Sequence, residues 1–142
     1  MNCTYVFNKM IEPFCDPYIR GIASKGGTRS SKTWSVLQLL YLVARESPDP
    51  LMISCVTDTL PAVKRGMFRD FQNMLLDEGA WDDNALNKSD MIYTVKPGVC
   101  IEFFGCDNAS KVHGPARDIL FINEAQRIPR EIFRQLDVRT TL

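Results

Sequence analysis

The fold of this chain is decided by a polar, glycine-led stretch between two apolar segments: Gly26-Gly27-Thr28-Arg29-Ser30-Ser31-Lys32-Thr33. Before it, the apolar residues of Tyr18 to Ser24 predict a short strand. After it, Lys32 to Glu46 places apolar residues at helical spacing, which predicts an amphipathic helix. A strand, a tight loop and a helix in this order are typical of one unit of an α/β sheet.

The same stretch fits a phosphate-binding loop, whose pattern is GxxxxGK[ST]. Gly26, Lys32 and Thr33 match the pattern, whereas Ser31 stands in place of its second glycine. Backbone N–H groups at a helix N-terminus form a concave, positive nest for phosphates. Lys32 is expected to reach the β- and γ-phosphates, and the Thr33 hydroxyl to ligate Mg²⁺. The alternative is a Gly-Gly turn before a helix with no nucleotide role. The candidate nucleotide-binding residues are Gly26, Gly27, Thr28, Arg29, Ser30, Ser31, Lys32 and Thr33.

The remaining chain alternates strands and helices, which predicts a layered α/β domain with a mainly parallel sheet. Four runs are predicted as strands: Leu51 to Val56, Met91 to Val95, Val99 to Phe104 and Ile119 to Ile122. The second and third are expected to pair as a hairpin, and the fourth is expected to be buried on both faces. The predicted helices run from Leu60, capped by Thr59, to about Asp77, and from Pro129 to about Leu136. Between them, residues 77–90 are interpreted as an acidic loop, and Lys96-Pro97-Gly98 as the hairpin turn.

A second group of candidate residues follows the strand Ile119 to Ile122. Ligands in open α/β sheets bind at the carboxyl ends of the strands, so Asn123 and Glu124 are expected to lie near the phosphates. A carboxylate there can orient and deprotonate an attacking water, which makes Glu124 the candidate catalytic base. Asn123 stands where an Asp commonly holds Mg²⁺ or its water shell, and its amide oxygen can accept from a metal-bound water. The alternative assigns Glu124 to the first turn of a helix, where the helix dipole favours an acid.

Taken together, Gly-Gly-Thr-Arg-Ser-Ser-Lys-Thr and Leu-Phe-Ile-Asn-Glu-Ala resemble the ATPase motifs of the large terminase subunit of tailed bacteriophages. Ser110 to Gly114 is similar to that family's approach to the second motif, and the resemblance covers about Tyr18 to Thr141. It implies a P-loop NTPase-type three-layer sandwich. It also implies a motor that hydrolyses ATP with Mg²⁺ to move double-stranded DNA into a prohead. Arg29 matches an arginine that this family associates with the γ-phosphate and transition-state charge, so Arg29 and Glu124 are the candidate catalytic residues.

The resemblance also implies an incomplete domain and several partners. We expect residues 1–142 to be the N-terminal part of the ATPase domain, without its remaining strands and the nuclease domain. The implied partners are DNA phosphates without sequence preference, the portal, the small terminase subunit and further copies of the chain. The implied location is the cytoplasm of a bacterial host, from a phage or prophage gene. The isolated fragment is expected to show little or no turnover.

The amino-acid composition argues against several classes of protein. The 142 residues are 45% hydrophobic and 24% charged, which argues against a disordered, collagen-like or coiled-coil chain. Lys plus Arg and Asp plus Glu both total 17, so bulk charge does not indicate a nucleic-acid partner. No signal peptide or membrane-length apolar run is visible, and the chain is expected to be intracellular.

Several other residue groups have weaker interpretations. Cys55 and Cys100 lie in apolar runs and are predicted as core residues. The spacing of Cys100, Cys106 and His113 matches no zinc finger or ribbon. Five arginines near the end of the chain are candidates for contacts with DNA or a neighbouring nucleotide, although a solvated helix face is the commoner explanation: Arg117, Arg127, Arg130, Arg134 and Arg139. The alternatives to a terminase-like ATPase are a small P-loop kinase and a non-hydrolysing interaction module.

Overall fold

The computed structural model describes residues 12, 15 and 32–140 of the chain. The predicted strand Tyr18 to Ser24 and the loop residues 26–31 lie outside the described residues. Among the residues described, five α-helices accompany the sheet: α1 (Lys32–Glu46), α2 (Leu60–Arg65), α3 (Met67–Asp77), α4 (Ala109–Val112) and α5 (Arg130–Val138). The five strands are β1 (Leu51–Thr57), β2 (Leu86–Asn87), β3 (Ile92–Lys96), β4 (Val99–Gly105) and β5 (Ile119–Ile122).

The sheet has the order β2-β3-β4-β1-β5 and is parallel where the candidate motif lies. β1 pairs in parallel with both β4 and β5, with Ile53 opposite Ile101 on one side and Ile119 on the other. β3 pairs antiparallel with β4, and β2 antiparallel with β3. The predicted hairpin is confirmed, and its turn residue Gly98 has a φ of 81°, which glycine adopts without steric cost. The predicted mainly parallel arrangement therefore holds for the three strands β4, β1 and β5.

Alternating strand residues build a core on each face of the sheet, because successive side chains point to opposite faces. On one face, Ile53, Cys55 and Phe103 pack with residues of α1 and α3. On the other, Val56 and Phe104 pack with Val112 of α4 and Leu136 of α5. Helices thus cover both faces, and the predicted three-layer α/β fold is confirmed.

The long helix predicted from Leu60 to Asp77 is wrong in one respect, because the chain breaks at Gly66. Gly66 has φ −111° and ψ −96°, outside the helical range, and ends α2 while preceding α3. A Cβ there would lie 3.1 Å from the carbonyl oxygen of Ala62, closer than most real contacts. The predicted cap is confirmed, since the Thr59 hydroxyl accepts from the N–H of Ala62 at 3.3 Å.

Burial and local structure differ from expectation at three further places. All four residues of β5 are only partly buried, because β5 is the outermost strand of the described sheet. Cys55 is buried as predicted, but Cys100 is partly exposed and its sulfur lies 3.6 Å from the Thr94 hydroxyl. The interpreted acidic loop contains a 3₁₀ turn, Asp83–Ala85, and the two-residue strand β2.

Within the described residues, no helix combines the length and apolar character that crossing a membrane requires.

Candidate functional site

The candidate site is built on the carboxyl ends of β1 and β5. The N–H of Asn123 continues the sheet by donating to the carbonyl of Val56 at 2.9 Å. The Thr57 hydroxyl donates to the carbonyl of Asn123, also at 2.9 Å. Because β1 and β5 run parallel, the residues that follow each strand lie at the same edge of the sheet. Asn123 is therefore fixed at this edge by two bonds to its neighbour strand.

The start of α1 reaches the same edge. The Thr33 hydroxyl donates to the side-chain oxygen Oδ1 of Asn123, with 3.3 Å between the two oxygens and 90 residues between them in the chain. Both residues are half-buried, and Lys32, the first residue of α1, is half-buried beside them. The structure thus brings Thr33 of the first motif together with Asn123 of the second, and Lys32 precedes Thr33 in α1. Gly26, Gly27, Thr28, Arg29, Ser30 and Ser31 lie outside the described residues.

Glu124 follows in an uncommon backbone conformation. Its φ of 55° and ψ of 50° lie in the left-handed region, which costs a non-glycine residue about 1–3 kcal/mol and is concentrated at functional sites. A short 3₁₀ turn, Ala125–Arg127, follows immediately, and the Glu124 side chain makes no capping hydrogen bond to it. Helix α5 begins only at Arg130, so Glu124 is not in the first turn of an α-helix and stands at the N-terminal end of the 3₁₀ turn. Instead, Oε2 of its partly exposed carboxylate accepts a hydrogen bond from Nε2 of Gln126.

Two oxygen groups at this edge suit a hard cation. The Thr33 hydroxyl and the Asn123 amide oxygen are neutral oxygen groups within hydrogen-bond distance of each other, and Glu124 follows Asn123 in the chain. Mg²⁺ binds few protein oxygens and retains several waters, so this donor set fits it. In the described part of the chain, no group of three His, Cys, Asp or Glu side chains could hold a metal ion by itself.

Cys106 follows β4, and its N–H donates to the carbonyl of Thr57 at 2.9 Å. Burial raises the pKa of the Cys106 thiol, and the carboxylates of Asp58 and Asp107 raise it further, so less of this thiol is in the thiolate form at a given pH.

The arginines near the end of the chain do not form one surface. Arg127, Arg130 and Arg134 are exposed. Arg139 is half-buried and donates to the carbonyl of Gly114 at 3.1 Å. Arg117 is only 2% exposed, so it cannot reach DNA, and its inclusion in a DNA-binding cluster is wrong.

Arg117 instead belongs to a buried polar cluster that the sequence interpretation missed. Its guanidinium donates to Ser54 Oγ at 3.0 Å and to the carbonyls of Leu136 and Lys111, each at 3.1 Å. The Ser54 hydroxyl donates to Glu102, the residue directly opposite it on β4. Burial lowers the pKa of Arg117 and the negative charge of Glu102 opposes this shift. The signal was Glu102, a charged residue inside the apolar run Val99 to Phe104, because buried charges require partners.

Comparisons with solved structures identify the same fold. The large terminase of a thermophilic bacteriophage, in its second crystal form, superposes with a TM-score of 0.79 at 17% identity, over 100% of this chain and 37% of that one. The third crystal form of the same terminase, in complex with ADP, gives a TM-score of 0.75 at 17% identity, over 99% and 36%. Another structure of the third crystal form gives 0.64 at 18% identity, over 82% and 28%.

These similarities confirm, at the level of the fold, the resemblance carried by the two motifs. The chain spans about a third of the length of the terminases it matches. The sequence matches no protein-family model and no curated protein.

Proposed function

We propose that this chain is the ATP-binding and ATP-hydrolysing part of a viral DNA-packaging motor of the large terminase type. The observation that carries the proposal is the hydrogen bond between Thr33 and Asn123, which joins the helix after the glycine-led loop to the residue after β5. A nucleotide site of this class needs these two elements at one edge of the sheet. The fold similarity supports the proposal, and one of the similar terminase structures contains ADP.

In this proposal each residue has a distinct task. Lys32 binds the β- and γ-phosphates as a point charge, with backbone N–H groups of residues 26–31 around them. Thr33 ligates Mg²⁺, and Asn123 accepts from a water of its hydration shell. Glu124 orients and deprotonates the attacking water. Arg29 stabilises the charge that spreads over the γ-phosphate in the transition state.

We further propose that the chain is the N-terminal part of a longer subunit. The subunit contacts its DNA substrate through the DNA phosphates. Its protein partners are the portal and the small terminase subunit, and several copies of it assemble into the motor. The exposed side chains of Arg127, Arg130 and Arg134 are available for phosphate contacts. Such contacts are independent of sequence and weaken as salt rises, because they release counterions. The motor would act in the cytoplasm of a bacterial host.

The test of the nucleotide site is Lys32→Ala, assayed by titration calorimetry with ATP and Mg²⁺. We expect the affinity to fall at least about tenfold, because a hydrogen bond to a charged group contributes about 1.5–3 kcal/mol. Lys64→Ala is the matched control, since Lys64 is an exposed lysine on α2. Both variants should melt near the wild-type temperature. Equal ATP affinity in the wild type and the Lys32→Ala variant would refute the nucleotide site.

The motor assignment is tested separately, by ATP turnover of the intact protein with and without DNA. A motor is expected to hydrolyse faster with double-stranded DNA of any sequence, and this stimulation should decline with salt. Turnover that responds to a small phosphoryl acceptor instead would identify a kinase. Absence of nucleotide binding would refute the ATPase assignment and favour the alternative, a non-hydrolysing interaction module.

A further inference from the structure

We propose that Gln126 is a positioning residue that holds the carboxylate of Glu124 in its reactive orientation. The inference rests on the proposed function, in which Glu124 activates the attacking water. Its basis is the hydrogen bond from Nε2 of Gln126 to Oε2 of Glu124, between side chains two residues apart. The 3₁₀ turn Ala125–Arg127 brings the Gln126 side chain back toward Glu124.

The backbone around Glu124 is already fixed on both sides. Upstream, Asn123 is tied to β1 through its N–H and its carbonyl. Downstream, the N–H of Arg127 donates to the carbonyl of Glu124 at 2.9 Å and closes the turn. The left-handed backbone of Glu124 is therefore held by its surroundings, and the remaining freedom lies in the side-chain torsions. A hydrogen bond at the carboxylate removes that freedom.

The hydrogen bond from Gln126 leaves the two carboxylate oxygens of Glu124 with different roles. Oε2 is held by the Gln126 amide, whereas Oε1 accepts no hydrogen bond from any of the residues described. An amide donor is neutral and does not give up its proton, so it orients the carboxylate without neutralising it. Oε1 is left as the oxygen that receives the proton of the water. A base that is already oriented toward its water lowers the activation barrier, because the side chain loses less conformational freedom on reaching the transition state.

The kinetic test is Gln126→Ala in the intact protein. We expect kcat to fall about 10- to 100-fold with little change in KM for ATP, because the lost orientation matters in the transition state and not in nucleotide binding. Gln126→Asn keeps an amide donor on a shorter side chain and should recover part of the loss. The control is Gln135→Ala, which removes a similar amide–carboxylate pair, Gln135 Nε2 to Glu131 Oε1 at 3.4 Å, on α5. That variant should keep wild-type kcat.

A second readout needs no catalysis and uses the 142-residue chain. In ¹⁵N-resolved NMR spectra, the side-chain NH₂ signals of Gln126 should move upfield in Glu124→Ala, because the charged acceptor is lost. The NH₂ signals of Gln135 should stay in place in that variant and move in Glu131→Ala.

The outcomes separate this inference from the proposed function. Unchanged kcat in Gln126→Ala, or Gln126 signals that do not respond to Glu124→Ala, would each overturn the positioning role. A selective fall in kcat together with the NMR response would establish it. Failure of the wild-type chain to bind ATP would refute the proposed function and leave the NMR test to decide the contact itself.

Discussion

Two polar groups, one inside the sheet and one at its edge, differ in what surrounds them. The interior group, Ser54, Glu102 and Arg117, lies in the middle of β1 and β4 and under α5. The edge group, Thr33, Asn123 and Glu124, lies where β1 and β5 end. The Arg117 guanidinium donates to Ser54, Leu136 and Lys111, and Arg117 is almost fully buried. Glu124 is partly exposed and has a left-handed backbone.

These surroundings suit the interior group to stabilising the fold and the edge group to chemistry. A buried charge contributes to a fold only when its partners are complete, and the interior group meets this requirement. A catalytic carboxylate needs an oxygen left for substrate or water, and a left-handed backbone persists only where the surroundings enforce it. We therefore expect substitutions at the edge to affect turnover and substitutions in the interior to affect stability.

The largest expected effect is on turnover, in Glu124→Gln. We expect kcat of the intact protein to fall about 10²- to 10⁴-fold, because general-base catalysis contributes by that factor. ATP affinity and melting temperature should stay near the wild-type values, since an amide of similar shape replaces the carboxylate. Steady-state kinetics, calorimetry and thermal melting measure the three quantities. Normal turnover in this variant would show that Glu124 is not the base, and the comparison between edge and interior would fail.

The next effect is on stability, in Arg117→Met. Removing the guanidinium leaves Ser54 and two backbone carbonyls without their donor and Glu102 less compensated. Leaving a buried polar group without its partner costs about 1–3 kcal/mol, so we expect a loss of several kcal/mol in the free energy of unfolding, which denaturant unfolding can measure. The control, Arg134→Met, removes an exposed contact with Glu131 at 3.8 Å and should cost less than about 1 kcal/mol. Equal unfolding midpoints for the two variants would contradict the structural role of Arg117.

The smallest effect is a difference in cysteine reactivity. The thiolate is the reactive form, and burial raises the pKa of the Cys106 thiol, so less thiolate is present at a given pH. At about pH 8 we expect iodoacetamide to modify Cys106 more slowly than the exposed Cys15, with the gap narrowing as pH rises. Cys55, which is fully buried in β1, should react only on unfolding. Peptide mass spectrometry measures the three rates, and equal labelling of Cys106 and Cys15 at that pH would contradict the expectation.

Most of the elements could be predicted from local pattern. Helix α1, strand β1, the β3–β4 hairpin and the strand β5 were visible because their apolar periodicity spans four or more residues. The two-residue strand β2 was not visible because it is defined by its pairing with β3. The break at Gly66 had a local signal, a glycine inside the predicted helix, which the sequence interpretation did not use. The expected burial of β5 was wrong because burial depends on the neighbours of a strand, which its own four residues do not encode.

The sequence by itself determined which residue types could do chemistry and that they follow predicted strands and loops. It identified Lys32, Thr33, Asn123 and Glu124 because polar residues at fixed positions after apolar strands are a local pattern. Only the tertiary structure decided that Thr33 reaches Asn123 and that Arg117 is internal. Those contacts depend on strand pairing and on the packing of α5 on the sheet. Such arrangements arise when distant segments meet, so no single stretch of the chain could reveal them.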